Sequence, residues 1–228
     1  MKQLRFFVLM GVALAGAAAQ AQPVASRAEM AGRAGKWDVS LVVPYAASKT
    51  FSFDGGASAD VQSDYGLGVA LNYGLNDQVS LGLELGWRDQ DYTATAVPAG
   101  NNAGLPATFN GRLSSRWLKL TGAYHFLRES WHTPYLSGAI GAMHVDSGIP
   151  GGPPITGCYN YAWYGTSCET GVPTYNETNL NISLGLGYRM DFGGLVARVS
   201  VDQQWLNGGY YSGSQTWTEY RLQVGFKY

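Results

Sequence analysis

The sequence has 228 residues with 15 basic and 16 acidic side chains, a nearly neutral balance that argues against a nucleic-acid-binding protein. Glycine contributes 31 residues and aromatic residues 13%, whereas charged residues make up only 14%, well below the roughly 25% of soluble domains. A chain so rich in glycine and aromatic residues, and so poor in charge, is not composed like a soluble globular domain.

The first 21 residues have the features of a secretory signal peptide. Lys2 and Arg5 precede an apolar run from Phe6 to Ala19, and Ala19-Gln20-Ala21 fits a small-residue cleavage site. The run is shorter than the ~18 to 20 apolar residues of a membrane helix. We therefore expect residues 1–21 to be removed on export, with no helical span.

Residues 22–35 have no strand pattern and are expected to form an N-terminal lead-in. The sequence leaves open whether this lead-in enters the folded domain predicted for residues 36–228. We see no linker or change in composition that would divide that domain.

From residue 36 onward, bulky apolar residues alternate with small or polar residues in eight segments. A period of two is typical of strands with two unlike faces. The segments are 36–45, 64–74, 78–88, 115–126, 133–144, 179–190, 195–205 and 217–228. In seven of them the bulky face carries no charged residue; the facing of 133–144 stays undecided.

The links between these segments alternate strictly in length. The short links are 74–77, 127–132 and 191–194, and the long links are 46–62, 89–114, 145–177 and 206–216. All short turns therefore fall at one end of the molecule. An uncharged bulky face bordered by aromatic residues is suited to hydrocarbon, where a sheet has to close so that no edge is left unpaired. The sequence predicts an all-β fold, a transmembrane antiparallel up-and-down barrel of eight strands.

These features, with the terminal stretch YRLQVGFKY, resemble the OmpA/OmpX-type, opacity-protein-like family of small outer-membrane β-barrels of Gram-negative bacteria. The resemblance covers residues 36–228. It implies a location in the cell outer membrane, short periplasmic turns and long extracellular loops. The implied partners are outer-membrane lipid and lipopolysaccharide, periplasmic chaperones and the barrel-assembly machinery. That machinery reads a terminal strand ending in an aromatic residue, a role that the resemblance gives to Tyr220, Leu222, Val224, Phe226 and Tyr228.

A barrel of eight strands is narrow enough to be filled by its own side chains. The charged residues expected on the inward face are Glu84, Arg88, Lys119, Arg189, Arg198, Asp202, Arg221 and Lys227. Because unpaired charges there are costly, we expect Glu84 to pair with Lys119, and Asp202 with Arg198 or Arg221. We interpret the set as a polar plug, with a gate or ion path as the alternative.

The longest link contains the two cysteines of the sequence, Cys158 and Cys168, which we expect to form a disulfide after export. No further His or Cys lies at metal-ligand spacing. The surrounding stretch is rich in Gly, Pro and Tyr, a composition suited to adaptable binding. The candidate contacts to an extracellular ligand are Tyr159, Tyr161, Trp163 and Tyr164.

The sequence favours a structural, envelope-integrity role or a surface-binding, adhesin-like role. One alternative is passage of small molecules, either porin-like or through a lateral opening for hydrophobic compounds, with Trp117 as the bulky inward residue. A lipid-modifying enzyme is a further alternative. It would rest on the grouping His144, Asp146 and Ser147, for which the spacing does not establish a nucleophile and base in contact. We expect no enzymatic activity, no cofactor and no metal.

Overall fold

The computed structural model describes residues 32–52, 58–96, 107–128, 130–150, 155–161, 165–171, 174–207 and 215–228. The predicted signal peptide and most of the lead-in lie outside these ranges. No helix within them is long and apolar enough to cross a membrane.

The described residues form twelve strands. Their bounds are β1 Trp37–Ala46, β2 Lys49–Ser52, β3 Ser58–Val61, β4 Asp64–Gly74, β5 Val79–Ala96, β6 Ala107–His125, β7 His132–Pro150, β8 Ile155–Tyr161, β9 Gly165–Gly171, β10 Thr174–Phe192, β11 Leu195–Asn207 and β12 Gln215–Lys227.

Eight of these strands close into an antiparallel up-and-down barrel. The order around the wall is β1, β4, β5, β6, β7, β10, β11 and β12, and β12 pairs with β1. The closing pair continues to Tyr228, whose N–H donates to the carbonyl oxygen of Trp37 at 2.8 Å. Closure pairs the backbone groups of every wall strand, as hydrocarbon requires. The predicted fold class is confirmed.

The short turns have the local chemistry that tight hairpins need. Between β4 and β5, the Asn76 side-chain oxygen accepts from the N–H groups of Gln78 and Val79, at 2.8 and 2.7 Å. Between β10 and β11, Gly193 has φ 68°, which a side chain would disfavour. These turns fix the register of the strands that they join.

Four wall strands extend by four or more residues beyond the predicted segments at the long-loop end. Residues 89–96 and 107–114 of the predicted link 89–114 belong to β5 and β6, and residues 145–150 and 174–177 belong to β7 and β10. The long-loop prediction was wrong for these stretches. These strand extensions are stabilised because their inward residues, such as Tyr92, pack into an apolar cluster inside the mouth of the barrel.

The two faces of the wall lie in unlike environments. Leu83 is 52% exposed and Val224 42% exposed, both on the outer surface. Along β7, Leu136 and Ile140 point outward and Tyr135 points inward, which decides the facing that the sequence left open. The bulky apolar face of the wall therefore points outward, and the face with small or charged residues points inward.

Inward glycines leave room for large rings on the neighbouring strand. A Cβ on Gly86 would collide with the indole of Trp117, whereas a Cβ on the outward Gly138 would have its nearest neighbour, the Ser183 carbonyl oxygen, at 3.8 Å. We predict that Gly86→Ala lowers the free energy of unfolding by about 1–3 kcal/mol through overpacking. Urea titrations in detergent micelles measure the change, and equal effects of Gly86→Ala and the control Gly138→Ala would contradict it.

Candidate functional site

The charged interior of the barrel is the candidate functional site. Seven cationic and five anionic side chains are buried among the described residues. They are Arg33, Arg88, Lys119, Arg189, Arg198, Arg221 and Lys227, and Asp38, Glu84, Asp191, Asp202 and Glu219. All eight charged residues that the sequence placed inward lie in this set. The structure divides them between two clusters and a lysine that stands apart.

The short-turn cluster comprises Arg33, Asp38, Arg189, Asp191, Arg198 and Lys227. Asp38 accepts from Arg189 at 3.0 Å and from Arg198 at 2.6 Å, and the amide of Asn72 donates to its other oxygen at 2.9 Å. Asp191 is held by the same Arg189 at 2.8 Å. Lys227 approaches Asp191 at 3.4 Å. Each carboxylate therefore meets at least two cations, which is how buried charges are tolerated.

Arg33 closes the short-turn end of the barrel. Its side chain donates to three backbone carbonyl oxygens, those of Asp77 at 2.9 Å, Leu127 at 3.0 Å and Ser130 at 2.6 Å. Its Nε lies 3.1 Å from a carboxylate oxygen of Asp191. The end of the lead-in thus enters the barrel, which answers a question that the sequence left open. The Arg33 side chain connects two short turns to the wall.

The central cluster comprises Glu84, Arg88, Asp202, Glu219 and Arg221. Arg221 pairs with Glu84 and lies 3.7 Å from both Asp202 and Glu219, while Arg88 pairs with Glu219 at 2.8 Å. The predicted contact of Asp202 with Arg221 is therefore present.

The predicted pair of Glu84 and Lys119 is not formed. Glu84 pairs with Arg221 instead, and Arg198, the alternative partner expected for Asp202, pairs with Asp38. Within the described part of the chain, Lys119 has no carboxylate oxygen within 4 Å; its ammonium lies 5.5 Å from the centre of the Trp117 ring. The sequence-based prediction pairs Glu84 with Lys119 because they lie on adjacent strands. In the structure, contacts across the lumen decide which charges pair.

An apolar cluster fills the mouth above the central cluster. Its large members are Phe51 from the β2–β3 hairpin together with Tyr92, Trp117, Met143 and Trp217 from the wall. Trp117 donates its indole N–H to Glu84 at 2.9 Å, which joins the apolar and ionic layers. The guanidinium of Arg88 lies 4.7 Å from the Trp217 ring centre.

Between the two clusters lies a cavity of about 40 Å³. Glu84, Asp202, Arg198 and Arg221 line it, with Tyr135 among the remaining residues. A polar space of this size holds about three waters.

Four buried charges were missed from the sequence. Asp38 and Glu219 have the inward parity within their predicted segments, and Asp191 has it one residue beyond its segment, so period-two counting applied to every residue would have found all three. Arg33 gives no such signal because it precedes the first strand. Its position is known only from the fold.

The residues outside the lumen are placed as follows. Cys158 and Cys168 face each other in the two-stranded sheet of β8 and β9, and Cys168 is disulfide-bonded. Tyr159 and Tyr161 lie in β8, while Trp163 and Tyr164 lie outside the described residues. The five residues given an assembly role are exposed on the outer face of β12, where that role stays a prediction.

The grouping of His144, Asp146 and Ser147 is not assembled as a triad. The imidazole of His144 contacts the Thr178 hydroxyl at 3.0 Å, and the Ser147 hydroxyl donates to the Tyr175 carbonyl oxygen at 2.9 Å. Both groups are engaged with other partners. Within the described ranges, no group of three His, Cys, Asp or Glu side chains is placed to hold a metal ion.

The sequence matches no protein-family model and no curated protein. Solved structures resemble the fold. The outer membrane protein OprG from Pseudomonas aeruginosa has a TM-score of 0.53 at 14% identity, covering 87% of this chain and 98% of that one. The N-terminal β-barrel domain of OprF from the same organism has a TM-score of 0.40 at 20% identity, covering 86% of this chain and 99% of that one. Neisserial surface protein A has a TM-score of 0.48 at 12% identity, covering 85% and 97%.

The likeness to OprG concerns the fold. The chain shares the closed, eight-stranded architecture of that barrel, which is the fold that the resemblance to the OmpA/OmpX-type barrels implies.

The contact of Asp77 with the lead-in makes stability depend on pH. The backbone N–H groups of Arg33 and then Ala34 donate to its carboxylate, at 2.9 and 3.2 Å, and lower the pKa of this turn residue. A lowered pKa contributes stability that is complete above the ordinary Asp pKa of about 4 and is lost as the pH falls through the lowered value. We predict that Asp77→Asn destabilises the barrel at pH 7 and less so at strongly acidic pH.

Urea titrations in micelles at the two pH values measure this difference. As a control, a chain without residues 22–34 lacks both donors, so Asp77→Asn should then have no effect. A destabilisation that is independent of pH, or that persists in the shortened chain, would show that the carboxylate acts elsewhere.

Proposed function

We propose that the protein is an integral protein of the outer membrane whose closed lumen serves as a rigid structural core rather than as a channel. The observation that supports this role is the filling of the lumen at three levels. Arg33 covers the short-turn end, the central cluster crosses the middle, and the Phe51 cluster fills the mouth. The short turns would face the periplasm and the long loops the exterior, as in the barrels that the chain resembles.

A permeating ion would have to break several of these contacts at once. Taking one partner away from a buried ion pair costs on the order of 3–5 kcal/mol, because it leaves a buried charge uncompensated. The cavity between the clusters is small, about 40 Å³, and charged side chains of both clusters line it. A structural role in the envelope therefore fits the interior better than porin-like passage does.

Passage of hydrophobic compounds through the side of the barrel has less support. The ladders from β5 to β6 and from β6 to β7 run without a register shift past Trp117. Trp117 itself is buried and bonded to Glu84, which explains its presence as packing. A lipid-modifying activity has no assembled nucleophile and base at His144 and Ser147 to support it.

We predict that the refolded protein gives no steady current steps in planar bilayers. The physical reason is the paired charge of the lumen, and a general diffusion porin in the same chamber provides the positive control. Uniform, long-lived steps would overturn the closed-lumen proposal. Uptake of a small apolar compound that depends on the protein and changes with Trp117→Ala would favour the lateral route instead.

A surface-binding role is a second candidate, supported by one observation. The β8–β9 hairpin forms a two-stranded sheet that shares no ladder with the described wall strands, and its cysteines are register partners. Its Tyr-rich sequence provides adaptable contact residues.

We predict that replacing residues 151–173 by a tight Asn-Gly turn leaves barrel stability unchanged, because Pro150 and Thr174 are already register partners. If the hairpin binds a surface ligand, adhesion of cells that display the protein should fall. Removing the β2–β3 hairpin is the contrasting variant. It takes Phe51 and Val61 from the mouth cluster and should lower stability. Unchanged adhesion after the 151–173 replacement would remove the support for the adhesin role.

A further inference from the structure

The short-turn cluster holds more positive than negative charge. Among the described residues it has four buried cations and two buried carboxylates, Asp38 and Asp191. Asp77 accepts from the backbone N–H of Arg33 at the outer end of the cluster, and counting it still leaves one cation in excess. The central cluster and Lys119 together have three cations and three carboxylates. The excess charge of the lumen therefore belongs to the short-turn cluster, and buried charge without a counter-charge is costly.

Arg198 brings this excess to the cavity between the two clusters. Of the residues that line the cavity, Arg198 alone belongs to the short-turn cluster. Its guanidinium shares the carboxylate of Asp38 with Arg189, so one negative charge serves two guanidinium groups. Arg198 is only 5% exposed, and its Nε–H has no hydrogen-bond partner in the described part of the chain. A buried, charged donor thus faces the cavity unsatisfied.

Two carboxylates also line the cavity, but they neutralise a different cation. Glu84 pairs with Arg221 and accepts from the Trp117 indole. Asp202 accepts from the Ser200 hydroxyl at 2.7 Å and lies 3.7 Å from Arg221. Within the described ranges, neither carboxylate pairs with a cation of the short-turn cluster.

Gln223 provides a second polar group at the same place. It is the register partner of Arg198 on the neighbouring strand, and it lines the cavity. The residue is 8% exposed, and its Oε1 has no hydrogen-bond partner among the described residues. A carboxamide rotated by half a turn presents its NH2 group in place of its oxygen, so Gln223 can donate alongside Arg198. The hydroxyl groups of Tyr135 and Ser183 line the same space.

We propose that this cavity binds one small monovalent anion of the halide class, held by the Nε–H of Arg198 and the amide of Gln223. A space of about 40 Å³ accepts an ion little larger than a water molecule. Water satisfies the two donors as well, but it adds no charge, whereas an anion supplies the negative charge that the short-turn cluster lacks. Chloride is the natural ion of this class in aqueous solution.

The anion enters as the barrel closes during folding, because the site is buried. The proposal goes beyond the closed lumen, since a barrel can be closed to current with or without a bound ion. Current in planar bilayers and halide binding are therefore separate results.

The test is reversible folding of the full mature chain in detergent micelles, with bromide as the probe. Bromide replaces gluconate stepwise at constant ionic strength, and urea titrations give the folding equilibrium constant. A single anion that binds only the folded barrel makes this constant rise linearly with bromide, on the order of ten-fold at ten times Kd. A constant that does not change with bromide would overturn the proposal.

Two glutamine variants locate the effect. Gln223→Glu places a fixed carboxylate beside Arg198, so it should fold more stably than wild type in gluconate and lose the dependence on bromide. Gln90→Glu is the matched control, because Gln90 accepts from the Arg88 Nε at 2.9 Å but does not line the cavity. It should keep the full dependence on bromide. Equal dependence in both variants, or its loss in both, would contradict a site at Arg198.

A direct measurement does not depend on how the variants fold. Anomalous diffraction from crystals of wild type refolded in bromide should show one buried bromide within hydrogen-bond distance of the Arg198 Nε. Water alone in the cavity, or bromide only at the surface, would overturn the proposal.

Discussion

The ion pairs that cross the lumen are the interaction on which the rest of this structure depends. A barrel wall buries its inward side chains as deeply as a protein core does, and a charge left there without a partner is costly. Asp38 of β1 pairs with Arg189 of β10 and with Arg198 of β11, and Arg221 of β12 pairs with Glu84 of β5. These contacts connect strands that share no backbone ladder, so they hold the cross-section in a way that hydrogen bonds between neighbouring strands cannot.

The same interior explains why the wall is so rich in glycine. A narrow barrel has to accommodate long cationic side chains and several rings, and the space comes from residues without side chains on adjacent strands. Gly187 lies against Tyr135, and Gly185 lies against Asp202. The glycine content, the packing of the lumen and the pairing of its charges therefore depend on one another. Each large inward residue needs both a small neighbour that gives it room and an opposite charge or donor that satisfies it.

The wall could be predicted from the sequence because its outer face is apolar and its lumen is polar, and side chains point to the two faces in turn along each strand. The prediction failed at the long-loop end of the wall. At Asp89 and Asp91 the outward residues become polar, and at Tyr92 the inward residue becomes apolar, so the alternation continues with its sense reversed. If a strand is recognised by an uncharged bulky face, it ends at that reversal, and the residues beyond it are predicted to form a loop. The extra length of β5 and β6 was hidden for this reason, not because the pattern was weak.

Lumen contacts were predicted less well than lumen residues, and the reason is geometric. Parity along a strand places a side chain inside or outside, but it does not fix which side chains meet across an interior only a few residues wide. Lys119 stands opposite Glu84 in register and yet lies beside Trp117, because Arg221 reaches Glu84 from across the barrel. Arg33 shows the limit most clearly. No strand pattern includes it, and its place among three carbonyl oxygens exists only once two turns have been brought together by the closed wall. Local pattern therefore determines the wall, while closure of the wall determines what meets inside it.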